Sequence, residues 1–104
     1  MDEFRAVMDE GELRGSEMHA VEMDGVTVLL SRSETGEVCA IANTCTHRGG
    51  PLAEGERMGD TVICPWHGSE FDLCSGEVKR GPATEPQQRF EVRGREGKIE
   101  ICPL

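Results

Sequence analysis

Two Cys–His pairs constrain this chain more than any other feature: Cys45-x-His47, then sixteen residues, then Cys64-x-x-His67. Each pair lies in a segment rich in turn formers. The first is Asn43-Thr44-Cys45-Thr46-His47-Arg48-Gly49-Gly50-Pro51-Leu52, and the second is Cys64-Pro65-Trp66-His67-Gly68-Ser69-Glu70-Phe71-Asp72. Neither reads as a strand. Two thiols and two imidazoles on neighbouring loops can converge on one site. Gly49, Gly50 and Gly68 let the backbone approach closely and turn N–H groups inward, as sulfur acceptors require. Pro51 and Pro65 stiffen the loops before any metal arrives. The rest of the chain has a use for such a centre. With 104 residues, of which 37% are hydrophobic and 4% aromatic, its core is thin. A chain of this size buries only about 60–65% of the surface its unfolded form exposes, so a disulfide or a metal is expected to reinforce it.

Of those two, metal is the better expectation. Met1-Asp2-Glu3-Phe4-Arg5 has neither a basic start nor an apolar run, so it does not read as a signal peptide. No apolar stretch approaches a membrane span. The expected location is cytoplasmic, where thiols stay reduced. Five cysteines, an odd count, also fit a closed disulfide framework badly. Eleven basic against twenty acidic side chains leave a net charge of −9, which repels phosphate backbones and anionic lipid. Neither nucleic acid nor membrane is an expected partner.

The surrounding sequence predicts many short strands. Val26 to Leu30 and Val38 to Ile41 are apolar runs preceded by Asp24-Gly25 and Gly36-Glu37. Thr61-Val62-Ile63, Phe90-Glu91-Val92 and Ile99-Glu100-Ile101 add three more, the last two joined by Gly94-Arg95-Glu96-Gly97 as a four-residue hairpin loop. No segment sustains helical periodicity beyond about two turns. The expectation is one all-β domain over residues 1–104, an antiparallel sandwich or barrel.

Two metals suit the donor set. Zinc accepts Cys₂His₂, but zinc fingers usually pair the cysteines in one knuckle and the histidines on a helix. Here each loop mixes the two, and nothing between them reads as helical. The alternative is a two-iron, two-sulfide cluster. The two boxes, with Cys-Pro-Trp-His-Gly-Ser-Glu-Phe-Asp as the second, resemble the Rieske iron–sulfur signature. The resemblance covers most of the chain and implies the Rieske fold, with a small loop-rich cluster-binding subdomain at about residues 43–83. It implies that Cys45 and Cys64 hold one iron of a single [2Fe-2S] cluster and that His47 and His67 hold the outer iron through Nδ1. Gly68 and Trp66 belong to the same cradle. Gly81-Pro82-Ala83 is similar to the family's proline loop, although Thr84 stands where relatives often have a second proline.

The resemblance also addresses redox tuning. High-potential members carry an extra cysteine in each loop, paired as a disulfide; Gly50 and Trp66 occupy those places here. Ser69 sits where a hydroxyl donates to a bridging sulfide, whereas Phe71 replaces a Tyr that donates to a cysteine sulfur. The chain is accordingly expected in the disulfide-free, low-potential branch. The remaining cysteines have plain readings: Cys39 as a small buried hydrophobe, Cys74 and Cys102 as ordinary thiols. His19 is expected to be a surface or packing residue, and Arg48 is either a solvated loop charge or a contact for a partner's acid.

No catalytic residues are expected, because His19 is the only histidine left for a mononuclear iron site. The resemblance implies a Rieske-type ferredoxin, an electron carrier between a flavin-containing ferredoxin reductase and a terminal, ring-hydroxylating oxygenase. The small subunit of an assimilatory nitrite reductase is the alternative within the family. A zinc-binding interaction module is the alternative outside it. Residues 1–37 hold ten acids and three bases, while residues 38–81 hold six and four. An acidic body that steers toward basic surfaces, with a less charged tip, is the expected electrostatic layout.

Overall fold

The computed structural model describes residues 3–104; Met1 and Asp2, the start of the segment that does not read as a signal peptide, lie outside them. The strands are β1 (Arg5–Asp9), β2 (Met18–Met23), β3 (Val26–Arg32), β4 (Val38–Ala42), β5 (Glu56–Met58), β6 (Thr61–Ile63), β7 (Glu70–Asp72), β8 (Val78–Arg80), β9 (Phe90–Arg95) and β10 (Lys98–Pro103). They form three antiparallel sheets, ordered β1-β10-β9, β2-β3-β4 and β5-β6-β7-β8. The architecture is all-β, as the turn-bounded apolar runs predict. Among the described residues, no helix is long and apolar enough to cross a membrane.

The β2-β3-β4 sheet is the middle layer, and its sequence says why. Side chains alternate faces along a strand, so a strand that is apolar at successive positions needs cover on both sides. Val28, Leu29 and Leu30 are all fully buried. Val28 and Leu30, with Ala40 of β4, pack among Leu13, Phe90, Ile99 and Ile101 beneath the terminal sheet. Leu29 and Ile41 face the other way and pack with Leu52, Val62, Phe71 and Leu73 of the β5–β8 layer. The edge of β4 is continued by a bridge between Ile41 and Arg89, and Ala42 N–H donates to Gln88 O at 2.8 Å.

Three sequence expectations need correction. The β9–β10 connection is a two-residue turn, not four: Arg95 pairs with Lys98, and Glu96 and Gly97 both have positive φ, 52° and 77°. Such a turn matches the twist of the flanking strands, so Gly94 and Arg95 are drawn into pairing. The second Cys–His segment ends in strand β7. Phe71 is buried opposite Val62, while outward-facing Glu70 and Asp72 meet Arg80 at 3.8 Å and Lys79 at 3.7 Å across to β8. Alternation over only three residues was too short to read within a turn-rich segment.

The third correction concerns sulfur. Cys39 and Cys74 are joined in a disulfide, so Cys39 is more than a packed hydrophobe, Cys74 is not a free thiol and the chain is not disulfide-free. Alternation along β4 puts Cys39 on the Ile41 face, toward the β5–β8 layer, and its Cα lies 4.9 Å from that of Cys74. Closing a loop with a sequence separation of 35 is worth about 3–4 kcal/mol in chain entropy. Cys102, half-buried on β10, remains outside it. Asp72 shapes the turn that carries Cys74: its Oδ1 accepts the N–H groups of Cys74 at 2.9 Å and Ser75 at 2.8 Å. Burial works to raise the Asp72 carboxyl, but those amides and Lys79 together hold it below its ordinary value. Its stabilisation is therefore present above the ordinary carboxylate range and is lost as pH falls through the lowered value.

The middle-layer assignment has a direct test. Leu29→Ala and Leu30→Ala should each lower stability by about 2–5 kcal/mol in urea unfolding. Amide exchange should then separate them: Leu29→Ala speeds exchange in β5–β8, and Leu30→Ala speeds it in β9 and β10.

Candidate metal centre

The two Cys–His segments close by the same backbone pattern. Cys45 N–H donates to Gly50 O and Gly49 N–H to Cys45 O, both at 2.8 Å. Cys64 N–H donates to Ser69 O at 2.8 Å and Gly68 N–H to Cys64 O at 3.1 Å. In each loop the glycine four residues after the cysteine has positive φ, 82° at Gly49 and 78° at Gly68, a conformation that favours glycine. The histidine falls two residues after Cys45 but three after Cys64, and still both imidazoles project from equivalent turns. The sequence signal for this equivalence is the shared Cys-to-Gly spacing of four.

The loops face each other. Cys45 and Cys64 are buried, each about 3% exposed, while His47 is half-buried and His67 exposed. The imidazole rings meet edge to face, 5.1 Å between centroids and 87° between planes. Burial pushes the Cys45 thiol up; the N–H groups of His47 and Arg48 directed at its sulfur act the other way, and the neighbouring Cys64 thiol raises it further. Metal binding must displace that proton. A Cβ built at Gly50 would lie 2.8 Å from Cys64 Sγ and 3.0 Å from Trp66 Cγ, so only glycine leaves room for both. Trp66 covers Gly50 with one side and is 56% exposed, so its water exclusion is partial.

These residues fit a metal–sulfur group. His47 Nδ1 is buried and has no hydrogen-bond partner, and buried polar atoms rarely stay unsatisfied without a ligand to claim them. No three of the four Cys and His donor atoms lie within 4.8 Å of one another. That spread is too wide for one tetrahedral ion and suits a polynuclear group. Within the described residues, the cluster of donors tight enough for a single ion is Glu37, Cys39 and Cys74, whose two sulfurs are already bonded together.

Surrounding groups hold the loops in place. Ser69 is fully buried, and its Oγ accepts Ala83 N–H at 3.0 Å, fastening the cis Gly81-Pro82 loop to the second Cys–His loop. Pro82 itself is exposed. Past Thr84, Thr46 Oγ1 donates to Glu85 O at 2.6 Å, which tethers the segment after the proline loop to the first Cys–His loop. Gln87 is the residue that sequence reasoning missed. Its side chain, 3% exposed with its residue, donates to Ala42 O and Thr44 O and accepts Thr46 N–H, each at 2.8 Å. Nothing in Glu85-Pro86-Gln87-Gln88 marks which polar residue turns inward. His19 takes no part, its Nε2 lying 3.2 Å from Glu17 Oε1, and Arg48 is exposed.

The Rieske [2Fe-2S] domain profile matches residues 3–91. The chain belongs to the Rieske [2Fe-2S] domain family. Its cofactor is one [2Fe-2S] cluster. Relatives include apoptosis-inducing factor 3 of Mus musculus, 32% identical over 86% of this Rieske chain and 15% of that protein. The ferredoxin component of the naphthalene 1,2-dioxygenase system of Pseudomonas putida is 31% identical over 81% of this chain and 75% of its own length. Among solved structures, the ferredoxin of carbazole 1,9a-dioxygenase from Nocardioides aromaticivorans IC177 has a TM-score of 0.89 at 25% identity, covering 99% of this chain and 100% of that one. The Rieske chain thus spans about one-seventh of the first of these relatives and three-quarters of the second.

Gln87 yields a prediction. Gln87→Ala leaves two carbonyls and one amide unpaired beneath the first loop and should lower stability by about 2 kcal/mol or more in urea unfolding. Gln87→Glu, which keeps the acceptor but loses both donors, should not restore it.

Proposed function

We propose that this Rieske chain is a ferredoxin: a one-electron carrier, without catalytic residues of its own, that takes electrons from a flavin-containing reductase and passes them to a terminal, ring-hydroxylating oxygenase. The observation that carries the reading is the asymmetry of the paired loops. Both cysteines are buried and His67 is exposed, so the donor set runs from the core to the surface. The dioxygenase ferredoxins among its relatives supply the partner class. The reading includes a single domain, with residues 43–83 bearing the cluster. A cytoplasmic location belongs to it as well, where the Cys39–Cys74 bond would face a reducing thiol pool.

In this reading Cys45 and Cys64 bind the inner iron, and His47 and His67 bind the outer iron. The orphaned His47 Nδ1 is the ligand atom expected there. The cluster supplies one-electron chemistry when bound. Two ferric ions, two sulfides and two thiolates sum to zero, so an added electron meets less opposition than at a four-thiolate site. Ser69 keeps a hydroxyl hydrogen to donate while its oxygen accepts Ala83 N–H. Phe71 has no hydroxyl to offer and lies in the core. With one of two donors missing and no disulfide between the loops, we assign a potential in the lower part of the Rieske range of about −150 to +300 mV. Zinc is disfavoured by the spread of the four donors.

Iron and acid-labile sulfide should each be found at two per chain, and dithionite reduction should produce a Rieske-type EPR signal. Stoichiometric zinc or an EPR-silent reduced sample overturns the reading. His47→Ala and His67→Ala should each abolish the visible chromophore and destabilise the domain. Ser69→Ala should keep a Rieske-like spectrum while the potential falls by about 65–130 mV, the one-electron equivalent of one hydrogen bond to a charged group.

A further inference from the structure

The Cys39–Cys74 bond lies outside the cluster loops, and its place in the chain is informative. Every proposed cluster ligand, Cys45, His47, Cys64 and His67, falls inside the covalent ring that it closes. The bond also joins two layers: Cys39 belongs to β4 of the middle sheet, and Cys74 to the turn between β7 and β8. That turn is set by Asp72 and fastened by Gln87 N–H donating to Gly76 O at 2.8 Å. Gln87 thus touches both the turn that carries Cys74 and the loop that carries Cys45.

The bond is reachable. Both cysteines line a cleft of about 520 Å³, bordered by Glu37, Asp72, Ser75 and Arg89. Cys39 is only 6% exposed, whereas Cys74 is partly exposed on its turn. An incoming sulfur therefore meets Cys74 first, with Cys39 as the leaving group. The carboxylates of Glu37 and Asp72 at the rim favour an uncharged reductant over an anionic one.

We propose that Cys39–Cys74 is a thiol–disulfide exchange site, separate from the cluster, that takes a dithiol reductant and whose opening loosens the segment bearing the cluster ligands. A thiolate of the dithiol attacks Cys74 Sγ, the Cys39–Cys74 bond breaks and Cys39 leaves as a thiolate. The second thiol of the reductant then attacks the mixed disulfide, forms its own internal disulfide and releases Cys74. Two electrons and two protons end on Cys39 and Cys74, and the dithiol is oxidised. A cluster that carries one electron cannot drive this step by itself, so the two redox systems stay distinct. The effect on ligand retention rests on the ligand assignment proposed above; the exchange chemistry does not.

The test uses the intact protein with its cluster. One portion is treated anaerobically with dithiothreitol, the reductant is removed, and both portions are alkylated with iodoacetamide without denaturant before peptide mass analysis. Cys39 and Cys74 should be alkylated only after the dithiol, with the visible spectrum retained. Under a chelator, bleaching should be about tenfold faster in the reduced portion. A Cys39→Ser/Cys74→Ser double variant should bleach at the fast rate with or without dithiol. Alkylation of both residues before reduction, a bond that resists the dithiol, or equal bleaching in all samples overturns the proposal. If the protein shows no iron–sulfur chromophore, the ligand assignment fails by itself. The alkylation map still reads the exchange site, and a thermal midpoint that does not fall on reduction then overturns the loosening.

Discussion

Leu29 and Leu30 are neighbours in the chain and fully buried, yet they belong to different cores. That division of one strand between two hydrophobic faces is the constraint on which the rest of the structure depends. One face closes the base with the terminal sheet. The other presents Leu29 and Ile41 as a floor for the β5–β8 layer, whose short strands have little apolar surface of their own. Cys45 and Cys64 are part of that second core. The metal centre and the hydrophobic core of the upper layer are therefore one packing unit, and a thin core gains from the cluster what it lacks in aliphatic mass.

The loops themselves are restrained by polar groups. Each cysteine has its own amide and carbonyl tied within its loop, and the side chains that lock the loops to their surroundings, Ser69 and Gln87, are buried. Buried side-chain groups bonded to the backbone of neighbouring loops restrict the geometry, because displacement leaves several polar atoms unsatisfied. Rigid ligand loops suit electron transfer, in which little reorganisation should accompany a change of charge. In the proposed carrier the polar ties would serve that end, with the exposed His67 on the outer side of the site.

Much of this was readable in the sequence, for reasons that can be stated. The Cys–His pairs carry a specific spacing, and spacing survives folding unchanged, so the donor set was legible. The strands around Val28, Ile41, Val62 and Ile99 were legible because burial on one or both faces leaves a compositional trace. Strands β7 and β8 left almost none, since three residues next to a turn hold too few alternations. The disulfide was illegible for a different reason: Cys39 and Cys74 are separated by both metal loops, and only the folded layers bring β4 and the β7–β8 turn together. Gln87 is the extreme case, a polar residue among polar residues whose inward direction is fixed entirely by tertiary structure.

The covalent ring has a topological consequence as well. Because all four proposed ligands lie between Cys39 and Cys74, a single backbone break anywhere in that stretch separates no ligand from the others. The two pieces stay tied through sulfur, and the nicked chain keeps its full ligand set at the effective concentration of one molecule. The bond thus protects the centre against the damage to which an exposed loop, with its outward histidine and tryptophan, is most liable.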